Sequence, residues 1–102
     1  MEEEPAISRL NLTELRSVCE ATELKIRRFV FSKVAGRLVD DLNVTVSING
    51  SPPASIDIEV EIQLSPLLKS VNANKLVDDA VDYGFHSAEE KAKEILTCRL
   101  KN

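Results

Sequence analysis

Three carboxylates at alternate positions, Asp57, Glu59 and Glu61, are the best spaced for chemistry in this 102-residue chain. On an extended strand, alternate side chains share a face about 6.5–7 Å apart, which suits a paired acid and base or a hard cation. They occupy the polar half of the alternating run IDIEVEIQL. A carboxylate on an open, flat face has no desolvation to raise its pKa, so general-acid work near neutral pH loses its basis. The expectation is a solvated acidic face, preferred over a small hydrolase or metal enzyme built on these three residues.

Other candidates yield to similar arguments. Asp78, Asp79 and Asp82 fall in the first turns of a predicted helix, where the macrodipole favours carboxylates. Asp40 and Asp41 are expected in the turn between a helix and a strand, and neither group has the spacing of an EF-hand loop. His86, the only histidine, lies at the edge of an apolar helical stripe without a Ser or Cys motif, so a surface position is expected. No glycine-rich nucleotide loop, P-loop or nucleophile elbow occurs, and no catalytic residue, metal or cofactor is expected. Cys19 and Cys98 are too few for a disulfide framework or a zinc site and read as free thiols filling core positions.

The cations are unevenly placed. Arg16, Lys25, Arg27, Arg28, Lys33 and Arg37 share one stretch with only Glu14, Glu20 and Glu23. Arg27, Arg28, Lys33 and Arg37 form a candidate patch for phosphate or for the acidic surface of a second subunit; the competing reading is a solubilising face. A net charge of −4 argues against a protein whose whole surface binds polyanions. Three Phe, one Tyr and no Trp leave little for base stacking.

These residues need elements to position them. Leu42, Val44, Val46 and Ile48, then Ile56, Ile58, Val60, Ile62 and Leu64, alternate with polar residues, which predicts a hairpin with one apolar and one wet face. Asn49-Gly50-Ser51-Pro52-Pro53 supplies a turn longer than two residues. Before it, Asn11 with Glu14 has capping-box spacing, and an amphipathic stripe of helical period runs from Leu12 to about Gly36. After it, Leu67, Leu68 and Val71 read as a crossing segment tucked under the domain. A second helix follows, capped by Asn72 or Asn74. Gly84 lies on its apolar stripe, suggesting close approach to a backbone or a bend.

The order α-β-β-α predicts an α+β fold: both helices on one face of the hairpin, the acidic face open. Residues 1–10, acidic and broken by Pro5, read as a flexible arm before a single domain over 11–102. No apolar run reaches the ~18 residues of a membrane span and MEEEPAIS lacks the pattern of a secretory signal, so a cytoplasmic protein is expected. Two strands without internal proline or inward charge leave both sheet edges exposed, and a second copy or related chain could pair there. That favours an interaction protein over an enzyme.

The runs FSKVAGRLVDDLNVTVSI, EIQLSPLL and NANKLVDDAVDYG resemble a family of small archaeal proteins of unknown function over about residues 12–96. The resemblance implies relatives rather than an activity. Members of that family are commonly encoded near genes for a prefoldin subunit and for the KEOPS complex, which helps install threonylcarbamoyladenosine on tRNA. The α-β-β-α order also resembles the small dimerisation subunit of KEOPS, which normally begins with an additional strand, here aligned with Pro5–Leu10. This resemblance implies a homodimer or a heterodimer with a paralogue, an accessory place in a tRNA-modification assembly, and tRNA contact through the cations. It carries over no catalytic residue.

Overall fold

A computed structural model describes residues 5–100, excepting the side chain of Leu100. The order is a short 3-10 helix (Ala6–Arg9), α1 (Leu12–Lys33), a 3-10 turn (Gly36–Leu38), β1 (Val39–Asn49), β2 (Ser55–Leu64) and α2 (Ala73–Leu100). It is the α+β, helix-strand-strand-helix arrangement that the patterning predicts.

The starts of both helices follow local chemistry. Asn11 Oδ1 accepts from the Glu14 N–H at 2.9 Å and Glu14 Oε1 accepts from the Asn11 N–H at 3.0 Å, closing a capping box. At α2, Asn72 Oδ1 accepts from the Lys75 N–H at 3.2 Å, which selects Asn72 over Asn74 as the cap. The end of α1 differs from the expectation: the helix stops at Lys33 rather than near Gly36. Val34 is extended and buried, its N–H still bonded to the Val30 carbonyl. Leaving helical geometry there carries a β-branched side chain into the core.

β1 and β2 form a two-stranded antiparallel sheet, pairing Leu42 with Ile62, Val44 with Val60, Val46 with Ile58 and Ile48 with Ile56. Asp40 and Asp41 belong to β1, not to a preceding turn. Val39 pairs with Leu64 and Asp41 with Gln63, so Asp40 is the extra residue of a bulge. The reason lies in packing: Val39 and Leu42 both join the core, and a spacing of three fits strand alternation only if one residue is bulged out.

On the inner face, α1 lies mainly over β1 and α2 over β2. The helices are antiparallel, since Glu14 at the start of α1 meets Arg99 at the end of α2. Leu15, Val18, Thr22, Ile26 and Val30 of α1 are fully buried, as are Ala80, Ala88 and Ala92 of α2. Alanine on α2 against larger residues on α1 lets the two helices approach closely. Gly84 extends this contact: a Cβ there would lie 2.6 Å from Ile26 Cδ1 and 3.0 Å from Ile58 Cδ1. The close approach is therefore to side chains, not to a backbone.

Three further expectations need correction. Residues 1–4 of the expected arm lie outside the described residues, but Ala6, Ile7 and Leu10 are buried. The backbone N–H groups of Ala6 and Ile7 donate to the Glu89 carboxylate at 2.8 and 3.3 Å, so α2 supplies the acceptor that the 3-10 helix lacks at its start. In the segment before α2, Leu68 and Val71 pack against the core, whereas Leu67 is 84% exposed because it occupies a tight turn after Ser65. Cys19 is buried as expected, but Cys98, near the end of α2, is exposed.

Candidate interaction site

The outer face of the sheet is open. Asn43, Thr45 and Ser47 of β1 and Asp57, Glu59 and Glu61 of β2 are all exposed. The register sets Asp57 opposite Ser47, Glu59 opposite Thr45 and Glu61 opposite Asn43. Every carboxylate of the ladder thus faces a neutral polar neighbour, and none makes a side-chain hydrogen bond or ion pair among the described residues. Strand pairing draws the three acids into a row without enclosing them.

The four candidate cations do not converge. Arg27 is half-buried and pairs with Glu23 at 3.2 Å, one turn back. Arg28, Lys33 and Arg37 are exposed, the last on the 3-10 turn rather than on α1. At about 100° per residue, Arg27, Arg28 and Lys33 point in three directions around the helix. The Lys33 ammonium sits 5.4 Å from the Phe29 ring, which stacks on Tyr83 at 4.8 Å between centroids.

Two features escape the sequence reading. Leu24 and Phe31, two turns apart on the outward side of α1, are each about half exposed and flank Arg28. Their spacing off the buried stripe was the available signal. A shallow apolar depression of about 230 Å³ lies where the first 3-10 helix, the start of β2 and α2 meet, bordered by Ile7, Ala54, Ile56 and Phe85. Its walls come from three segments far apart in sequence, and no local pattern brings those residues together.

Elsewhere the titratable groups have structural roles. Asp79 pairs with Lys75 at 3.3 Å, while Asp78, Asp82 and His86 are exposed on α2. The Arg99 guanidinium and, next, the Asn11 N–H hold the Glu14 carboxyl below its ordinary value. Burial pushes the Cys19 thiol up, and the charge of Glu20 adds to it. Among the described residues, no group of three or more His, Cys, Asp or Glu could hold a metal ion, and no helix is long and apolar enough to cross a membrane.

These features define a small two-layer α+β protein whose most distinctive surface is a two-stranded sheet with both edges unpaired among the described residues. The chain belongs to the family described as a protein of unknown function (DUF3194), whose model matches residues 7–91. It is 28% identical over 86 residues to an uncharacterized protein of Pyrococcus furiosus, spanning 84% of this chain and 77% of that one. An uncharacterized protein of Thermococcus kodakarensis is 27% identical over 82 residues, spanning 80% and 75%. A crystal structure from Thermococcus onnurineus matches with a TM-score of 0.71 at 30% identity, covering 86% of this chain and 84% of that one. The solution structure of a hypothetical protein of Methanothermobacter thermautotrophicus matches at 0.68 and 25% identity, covering 79% and 87%. The resemblance to a small archaeal family of unknown function is borne out.

Proposed function

We propose that the protein is a non-enzymatic interaction subunit that completes its sheet by pairing the free edge of β1 with a second copy or a closely related chain. One observation carries the reading: among the described residues β1, spanning Val39–Asn49, makes its sheet bonds to β2 alone, and the opposite edge of this eleven-residue strand has no partner there. Natural sheets blunt such edges with prolines, charges or covering loops. Between Leu42 and Asn49, β1 has none of the first two, and Asn43, Thr45 and Ser47 on its outer face are neutral. Antiparallel self-pairing there brings no like charges together in the strand's middle.

The likeness in element order to the small dimerisation subunit of KEOPS supports a place in an archaeal tRNA-modification assembly. The equivalence is not complete, since a 3-10 helix at Ala6–Arg9 stands where that subunit has its first strand. Light scattering at high micromolar concentration tests the pairing, and Thr45→Lys with Ser47→Lys should break it while leaving the exposed-face fold intact. A strictly monomeric wild-type protein that also recovers no partner in a native pull-down overturns the reading.

A second reading, a small nucleic-acid-binding module on α1, draws on Phe31, a half-exposed ring one turn from Arg27 and Arg28 and beside Gly36, the residue before Arg37. Its test is a gel shift of tRNA at low salt. Binding should weaken steeply as salt rises and disappear on charge reversal of Arg27 and Arg28; no shift at low salt removes it.

A further inference from the structure

The two edges of the sheet are not equivalent in charge. β2 presents Asp57, Glu59 and Glu61 along its exposed face, and β1 answers them with Ser47, Thr45 and Asn43. A strand interior to a sheet has two lateral neighbours, and on one side of β2 the neighbour is neutral. The other side pairs with no strand and accepts no backbone hydrogen bond from outside the hairpin across Ser55–Leu64 among the described residues, although the first 3-10 helix packs near its start. A second copy paired antiparallel through this edge would set one row of carboxylates against another, which is destabilising. The β2 edge therefore rejects the self-pairing that the β1 edge tolerates.

We infer that the free edge of β2 takes, as a third strand, an extended segment of a different protein in which lysine or arginine alternates with apolar residues. This deepens the proposed interaction role and rests on it. Successive outward side chains of such a segment repeat about every 6.5–7 Å, matching the spacing of the three acids one strand away. Its inward side chains, on the opposite face, point toward the layer of the helices. At the start of β2 that layer is not closed: the depression of about 230 Å³ between Ile7, Ala54, Ile56 and Phe85 lies on this side of the hairpin. Phe85, which belongs to the apolar stripe of α2, is left 42% exposed there. Main-chain pairing, three carboxylates for alternate cations and an apolar seat for one intervening side chain together constitute a site for strand addition.

The experiment titrates the full-length protein, isotopically labelled, with a synthetic peptide of about nine residues in which valine alternates with lysine. Two controls accompany it: glutamate in place of lysine, and proline in place of alternate valines at unchanged charge. The lysine–valine peptide should bind and slow amide exchange within residues 55–64. Glu59→Lys with Glu61→Lys should weaken it about tenfold and shift preference to the glutamate peptide. Absence of protection in 55–64, equal binding of the proline peptide, or protection confined to β1 overturns the inference. Light scattering on the same samples reports copy-to-copy pairing through β1 separately, so either proposal can fail while the other stands.

Discussion

Gly84 of α2 faces Ile26 of α1 with no room for a methyl group: a Cβ at Gly84 would stand 2.6 Å from Ile26 Cδ1 and 3.1 Å from Ile26 Cγ1. Alanine at a helical glycine ordinarily gains about 1 kcal/mol of propensity. Here overpacking of a close-packed core, about 1–3 kcal/mol, opposes that gain, because Ile26 is fully buried and Ile58 closes the other side. Gly84→Ala should be net destabilising by about 1 kcal/mol. Combined with Ile26→Val, which removes Cδ1 but leaves Cγ1 and Ile58 Cδ1 at 3.1 and 3.0 Å, it should cost less than it does beside Ile26. Denaturant melts of the four-member cycle check the sign of this coupling.

Glu89 holds the first 3-10 helix by accepting from two backbone N–H groups. Glu89→Ala should cost about 2 kcal/mol, in the range for hydrogen bonds to a charged acceptor. Amide exchange over residues 6–10 should accelerate more than elsewhere, since those residues lose their tether while α1 keeps its own cap. Unchanged exchange at Ala6 and Ile7 would mean that burial alone docks the segment.

The order of elements and the two faces of the hairpin were legible because each is a local pattern. So were the caps at Asn11 and Asn72, whose partners lie three residues away. What escaped depends on distant residues. Ala6 and Ile7 look like part of an acidic arm until Glu89, 83 positions from Ala6, is seen to accept from them. The early end of α1 and the bulge at Asp40 follow from where Val34, Val39 and Leu42 must sit in the core, which periodicity along the chain does not reveal. The same holds for the candidate site. The acidic row at Asp57, Glu59 and Glu61 could be read directly, but its neutral neighbours required the register and the depression beside it required the fold. The four cations failed to converge because Arg37 leaves the helix and Arg27 turns to Glu23.

Glu14 ties the two helix ends together, so stability should depend on acid in a defined direction. Its carboxyl titrates lower in the folded chain than in the unfolded one, because Arg99 and the Asn11 N–H favour the charged form. The contribution is complete above the ordinary value of 4.5 and is lost as pH falls toward and through the folded value. Glu14→Gln should therefore be less stable than wild type at neutral pH, and the gap should close in acid. Thermal melts across that range check it; a gap that widens in acid is the contrary result.

The two thiols should separate cleanly by reactivity. Cys98 is exposed, whereas Cys19 is buried with its thiol held protonated by desolvation and by the charge of Glu20. An aromatic disulfide reagent should label one thiol per chain quickly in the native protein and both in denaturant. Cys98→Ser should abolish the fast phase, and persistence of that phase would place Cys19 at the surface.

Pairing through the β1 edge is tested most directly by amide hydrogen exchange measured at low and at high micromolar protein. Copy-to-copy pairing should slow exchange within residues 39–49 as concentration rises, with little change over 55–64. Thr45→Lys with Ser47→Lys should remove the concentration dependence. Exchange in β1 that is identical at all concentrations, or protection that grows only in β2, contradicts it.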